Sequence, residues 1–223
     1  MAIFYSPRIV TDGLVLCLDA ANTKSYSGSG ATWTDLSGNG NNCVWSATPS
    51  FSNGAFTLNG STHYGTITNN ATLNFSSAQT LMMVLRHSYT SGRKNPWNQA
   101  YGGYGTWTHE EGSTMSQYFG NAGADNSPYI GISSAATPRN VWNFMCATRD
   151  TSVHKWYING QLSSTTSNPY GTLATTSANI SIGNGYAGLW IGDMSVIIAY
   201  TRALSSNEVL QNYNALRGRY GLS

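Results

Sequence analysis

The stretch Val141–Gly160, VWNFMCATRDTSVHKWYING, decides the fold class. From Val141 to Arg149 apolar and polar residues alternate with a period of two, which places Trp142, Phe144 and Cys146 on one face of an extended strand. Arg149 to Ser152 reads as a turn, and Val153–Ile158 returns as a second strand. Asn159-Gly160, a dipeptide that accepts positive φ at both positions, then turns the chain again. The segment is an antiparallel hairpin.

The same grammar extends outward in both directions. Gln79–His87 (QTLMMVLRH) is another long strand, and Gly13–Asp19 (GLVLCLD) is so continuously apolar that it reads as buried on both sides. Ala55–Leu58 and His63–Ile67 flank Asn59-Gly60 as a short hairpin or a corner, while Asn179–Gly183 and Leu189–Tyr200 complete the set. One helix stands apart near the C-terminus. Ser205 is its N-cap and Glu208, three residues on, closes a capping box. Val209, Leu210, Tyr213 and Leu216 share one face, and Gly218 is the expected stop. The pattern predicts an all-β, two-sheet antiparallel sandwich with a short C-terminal helix sealing one end or flank.

Composition narrows the function. Only 9% of the 223 residues are charged and the net charge is +2, so there is no basic footprint for nucleic acid or an anionic membrane. No segment approaches a membrane-spanning length. The apolar run Leu14–Leu18 is too short for a signal-peptide core, so a chain without an export signal is expected. Cysteines 17, 43 and 146 are odd in number and widely spaced, which argues against a disulfide framework or a zinc knuckle; Cys17 and Cys146 sit in apolar runs as small hydrophobes. The 14 tyrosines and 7 tryptophans, set among Asn, Ser and Thr, give a neutral surface able to hydrogen-bond.

Asp35–Cys43, DLSGNGNNC, is too short and too well flanked to be a linker. Its glycines and asparagines tolerate positive φ, so it reads as a tightly structured loop that lets the chain leave the strand beginning at Gly13 and cross between sheets.

Residues 13–42 (GLVLCLDAANTKSYSGSGATWTDLSGNGNN), 56–67 (FTLNGSTHYGTI), 141–150 (VWNFMCATRD), 155–162 (KWYINGQL) and 200–222 (YTRALSSNEVLQNYNALRGRYGL) together resemble the laminin G-like, concanavalin A-like jelly-roll domains. The version they look most like is that of tailed-bacteriophage structural proteins. Residues 88–140 match poorly. The resemblance implies a jelly-roll domain over 13–223 behind an N-terminal arm, 1–12. It makes 35–43 the family's connecting loop, braced by the Asp35, Ser37, Asn39 and Asn41 side chains. Cys43 departs from it, since a glycine is usual there. It further implies a non-enzymatic virion protein, a capsid decoration or fibre or a tail component, assembled in the host cytoplasm and displayed on the virion surface. Its partners would be other virion proteins and host surface glycan, and its state a homo-oligomer, with a trimer as the guess. The alternative is a lectin or receptor-binding protein.

Trp97, Tyr101, Tyr104 and Trp107, in KNPWNQAYGGYGTWT, are the candidate carbohydrate-binding residues. Glycines would expose their flat faces, and Asn98 and Gln99 would bond sugar hydroxyls. The alternative is that these aromatics pack between strands or subunits. No catalytic or metal-binding set and no cofactor is expected. The resemblance leaves room for calcium, with Asp19, Asp35 and Asp193 as candidates against a turn-bracing role. Some relatives are glycosidases, but the glucanase pattern Glu-x-Asp-x-x-Glu is absent, and the close pair Glu110-Glu111 points to opposite faces if extended. His109 in WTHEEG lacks the second histidine of a zinc protease. A polysaccharide-degrading enzyme is the remaining alternative.

Overall fold

The strands read from periodicity all form, and others join them from segments with no apolar alternation. The computed structural model describes residues 8–110 and 114–222. In chain order the strands are β1 (Leu14–Asp19), β2 (Thr32–Trp33), β3 (Cys43–Trp45), β4 (Ser50–Ser52), β5 (Ala55–Asn59), β6 (Gly65–Ile67), β7 (Gln79–His87), β8 (Lys94–Gln99), β9 (Gly105–His109), β10 (Thr114–Gly120), β11 (Tyr129–Ala136), β12 (Asn143–Arg149), β13 (Val153–Ile158), β14 (Gln161–Ser167), β15 (Ile180–Ile182) and β16 (Ile191–Tyr200), followed by helix α1 (Ser206–Leu216). The first sheet runs β14-β13-β12-β7-β16-β5-β4, with β1 also paired to β16; the second runs β11-β10-β9-β8-β15-β6-β3-β2. The result is an all-β, two-sheet antiparallel sandwich with one short C-terminal helix.

The long apolar runs are explained by burial on both faces of the first sheet. Leu16, Leu81, Met83, Leu85, Met145 and Ile197 face the second sheet. Their neighbours Cys17, Met82, Val84, Phe144, Cys146 and Ile198 face outward into a second apolar layer. Helix α1 covers that layer through Val209, Tyr213 and Leu216. The helix therefore seals a flank of the sandwich. Ser205 Oγ accepts from the Glu208 amide at 3.4 Å and Glu208 Oε2 accepts from the Ser205 amide at 2.8 Å, so the capping box forms as expected. Two details of the helix differ. Leu210 is 37% exposed, and its expected place is taken by buried Asn212, which accepts from the Val10 amide at 2.7 Å and donates to Tyr200 Oη at 2.9 Å. Gly218 does not stop the helix: a 3-10 turn continues over Arg217–Arg219, and the positive φ falls at Gly221.

Asn59-Gly60 makes the corner rather than a hairpin, because β5 lies in the first sheet and β6 in the second. The loop 35–43 does not make the expected crossing between sheets: it joins β2 to β3, both in the second sheet, and the chain crosses from β1 earlier, over residues 20–31. Asp35 Oδ1 accepts from the amides of Cys17 at 2.8 Å and Ser37 at 2.9 Å, and its Oδ2 accepts from the Asn41 amide at 3.0 Å. Asn41 Nδ2 donates to Val15 O at 2.8 Å, Asn39 Nδ2 donates to Leu14 O at 3.3 Å, and Ser37 Oγ lies 3.0 Å from Val15 O. Gly38 and Gly40 supply the positive φ values this path needs. The loop is stapled along β1, as its composition predicts. Cys43 opens β3, fully buried, its sulfur where a side chain at Gly65 would stand. All three cysteines are free and buried.

Of the expected arm 1–12, residues 1–7 lie outside the described residues. Residues 8–12 rest on the domain: Val10 is buried in the outer layer, its carbonyl accepts from Tyr200 Oη at 2.9 Å, and Gln211 Nε2 donates to Arg8 O at 2.7 Å.

Candidate functional site

The candidate glycan residues separate into three that are buried and one that is not. In the β8–β9 pair Trp97 lies opposite Trp107, so both point the same way, into the core. Trp97 is 1% exposed and Trp107 0%, with the Trp107 ring packed 4.7 Å from that of Trp156 across the sandwich. Tyr104 is buried too; its hydroxyl donates to Asn74 Oδ1 at 2.8 Å and its ring meets Phe75 edge-on. These three have no face to offer a sugar. The strand period explains the correction: with Trp97 and Trp107 inward, Asn98, Thr106 and Thr108 lie on the outer face of the sheet, where both threonines are covered by the surrounding side chains and only 2% exposed. Gln99 is buried as well, donating to Asn69 Oδ1.

Tyr101 does reach a cleft, on the outer face of the second sheet. Its floor is Thr106 and Thr108 of β9, and its walls come from β10, β11 and the loop between β15 and β16, enclosing about 220 Å³. Tyr118 lies opposite Thr106 in the β9–β10 pair and therefore points outward. Across the next pair it faces Gly131, where an added Cβ would come within 2.6 Å of the Tyr118 ring. Glycine there lets the ring lie flat across β11. Tyr129, 45% exposed, meets the Tyr101 ring edge-on at 4.8 Å, and Tyr186, 82% exposed, completes the wall 5.8 Å from Tyr101.

The loop carrying Tyr186 is pinned by one buried amide. Asn95 Oδ1 accepts from the Ala187 amide at 2.6 Å, while its Nδ2 donates to Trp107 O at 2.8 Å and Thr108 Oγ1 at 2.9 Å. A side chain at Gly185 would strike Asn95. Tyr101 is fixed by its own amide, which donates to Asp125 Oδ1 at 2.6 Å. The aromatic cleft is thus preorganised by backbone anchors.

Its charges are paired. Arg93 Nε stands 2.8 Å from Glu110 Oε2, Arg93 Nη2 donates to Tyr118 Oη at 3.1 Å, and Tyr118 Oη donates to Glu110 Oε1 at 3.0 Å. Burial opposes the charge on Arg93, but the hydrogen bond and charge of Glu110 outweigh it and raise its pKa. Burial and then Glu110 push the Tyr118 phenol up; burial, Tyr129 and Asp125 do the same for Tyr101. Both phenols stay protonated at neutral pH; the Tyr118 hydrogen is given to Glu110, so of the two it is Tyr101 that can donate to a sugar oxygen.

The candidate calcium carboxylates do not come together. Asp19 is paired with Arg219 at 2.7 Å, Asp35 holds its loop, and Asp193 is paired with Arg86 at 2.7 Å and accepts from Thr57 Oγ1 at 2.6 Å. Among the described residues no three His, Cys, Asp or Glu side chains form a metal-holding group. Glu110 is committed to Arg93 and Tyr118, and Glu111 lies outside the described residues. A second groove, about 400 Å³, runs between residues 8–11, β1 and the end of α1. Its lining is largely aliphatic, with Ile9, Leu14, Leu36 and Val196, and has no aromatic ring.

Sequence reasoning placed Tyr101 and missed Arg93, Tyr118, Tyr129 and Tyr186. The signal was present for two of them. Met115, Gln117 and Phe119 alternate with Ser116 and Tyr118, and Tyr186 sits in the glycine-rich GNGYAG.

The profile of the laminin G-type concanavalin A-like lectin/glucanases superfamily matches residues 59–210, more than half of the chain. The chain belongs to that superfamily. No curated protein sequence matches it. Among solved structures, this lectin/glucanase-type chain is similar to the binding domain of Paraclostridial Mosquitocidal Protein 1, with a TM-score of 0.74 and 18% identity over 92% of this chain and 52% of that one. It is similar to the binding domain of botulinum neurotoxin serotype D, with a TM-score of 0.74 and 14% identity over 93% of this chain and 53% of that one. It also matches the serotype D ligand binding domain in complex with N-acetylneuraminic acid, with a TM-score of 0.73 and 14% identity over 93% and 52%. At such identities the likeness is one of fold. The chain spans about half the length of these structures. They are toxin binding domains, and they lend no support to the place on a bacteriophage particle that the sequence resemblance implies.

Proposed function

We propose that the chain is a non-enzymatic recognition module that binds carbohydrate in the outer cleft of the second sheet. The observation that carries this reading is the convergence of Tyr101, Tyr118, Tyr129 and Tyr186 over two threonines, on a surface open to solvent. Aromatic faces bury the C–H face of a pyranose while hydroxyls and phenols meet its edge. The matched structures are binding domains, one of them holding N-acetylneuraminic acid, which favours recognition over a structural role. Weak affinity at one site suits display in several copies. The commitment of Glu110 to Arg93 and Tyr118 supports binding without hydrolysis. A finer role as a virion decoration, fibre or tail protein in a closed oligomer rests on the sequence resemblance alone.

The test is a glycan array probed with the wild-type chain and with the double variant Tyr101→Ala, Tyr186→Ala. Binding by the wild type that the double variant loses, with its circular dichroism spectrum intact, is the expected result. Binding that survives in the variant removes the cleft from the account.

A further inference from the structure

The reading above leaves open which sugars the cleft admits, and its charges bear on that. Arg93 looks at first like an anion receptor, since it lines the cleft and its guanidinium lies 5.4 Å above the Tyr118 ring. It is already engaged. Nε and Nη2 both address the Glu110 carboxylate, at 2.8 and 3.3 Å, and Tyr118 Oη closes a three-membered ring with the pair. The other charged groups nearby cancel as well. Lys94 approaches the loop at Gly188, and Asp125 accepts the Tyr101 amide at the opposite rim. Among the described residues these two positive and two negative groups leave a formal sum of zero. The volume of about 220 Å³ is below the range of roughly 300–1,000 Å³ typical of drug-sized ligands. It suits one ring.

We propose that the cleft selects a single neutral pyranose over acidic sugars, and that Glu110 sets this selectivity by neutralising Arg93. The inference rests on the carbohydrate-binding reading of the same site. A carboxylate, sulfate or phosphate on the ligand would meet Glu110 and Asp125 as like charges and would have to displace Glu110 to gain the guanidinium. A neutral hydroxyl asks for no such exchange, because an arginine whose Nε and Nη2 are committed still has Nη1 hydrogens to donate.

The test measures affinities for matched ligands in which a carboxylate replaces the hydroxymethyl group: glucose against glucuronate and galactose against galacturonate. The wild-type chain, Glu110→Gln and the double variant Arg93→Gln, Glu110→Gln are compared at low salt. The wild type should bind at least one neutral member tenfold or more tightly than its acidic counterpart. Glu110→Gln leaves the guanidinium uncompensated and should narrow or reverse that ratio by tenfold or more. The double variant, neutral again, should restore it, which separates charge from damage to the fold. A wild type that prefers the acidic member, or a ratio unchanged in Glu110→Gln, overturns the inference while leaving carbohydrate binding standing. A folded wild type that binds no sugar of either kind overturns the carbohydrate reading and the inference with it.

Discussion

Acid should weaken this fold through two histidines that the native structure keeps neutral. His109, 2% exposed, lies between the His87 ring at 4.1 Å and the edge of Tyr89, and His154, 0% exposed, stacks on Phe119 and meets Gln117 Oε1 at 3.0 Å. Burial, reinforced by His87 for His109 and by Arg149 for His154, holds each pKa down at about 3 against an ordinary 6.5. The unfolded chain takes up protons as the pH falls through 6.5, and the folded chain does so only near 3. Stability is therefore complete above 6.5 and falls steadily below it. At pH 5 the gap is about 1.5 pH units per group, or about 2 kcal/mol each at 1.36 kcal/mol per unit. About 4 kcal/mol in all is a large share of the 5–15 kcal/mol typical of a domain. His87, also lowered by burial, adds in the same direction. Glu208, held at about 2 by Arg202, titrates in the unfolded chain only near 4.5, so pH 5 largely isolates the histidines. Urea denaturation at pH 7 and pH 5 measures the loss, and His154→Gln should remove about half of it. Equal stability at the two pH values, or an undiminished loss in the variant, refutes the reasoning.

Other perturbations separate the scaffold from the cleft. Asp35→Ala takes the acceptor from the amides of Cys17, Ser37 and Asn41, and should cost about 3 kcal/mol in denaturant unfolding, since hydrogen bonds to charged groups contribute roughly 1.5–3 kcal/mol each and water replaces part of them. Trp107→Ala opens the core against Trp156 and should cost about 3–5 kcal/mol. Tyr186→Ala should leave the unfolding midpoint within about 0.5 kcal/mol of wild type, as befits an 82% exposed ring, while weakening glycan binding at least several-fold by titration.

Strands buried on both faces were legible in the sequence because nothing competes with an apolar run. Gln79–His87 matches its strand to the residue, and Val153–Ile158, read as the return of a hairpin, does too. The helix start was legible for a local reason, the reach of Ser205 and Glu208 to each other's amides. Strands β8 to β11 were not, because their outer face carries polar threonines, serines and tyrosines, several of them buried, and glycines interrupt the other signals. β14, QLSSTTS, is an edge strand with no buried residue, and its serines serve β11: Ser163 Oγ accepts from the Ala135 amide at 2.9 Å. The aromatics of 97–107 were read with the wrong phase, since a period of two fixes which residues share a face and leaves open which face is inside. The cleft is likewise non-local. Tyr101, Tyr118, Tyr129 and Tyr186 come from four separate segments, and only the order of the second sheet and the anchor at Asn95 bring them together.

The most direct measurement is a crystal structure of the chain soaked with the tightest-binding sugar from the array. The account predicts a single pyranose seated over Thr106 and Thr108, its ring against Tyr101, Tyr129 or Tyr186. A sugar bound with full occupancy elsewhere, for example in the aliphatic groove beside α1, with the tyrosine cleft unoccupied, would contradict it.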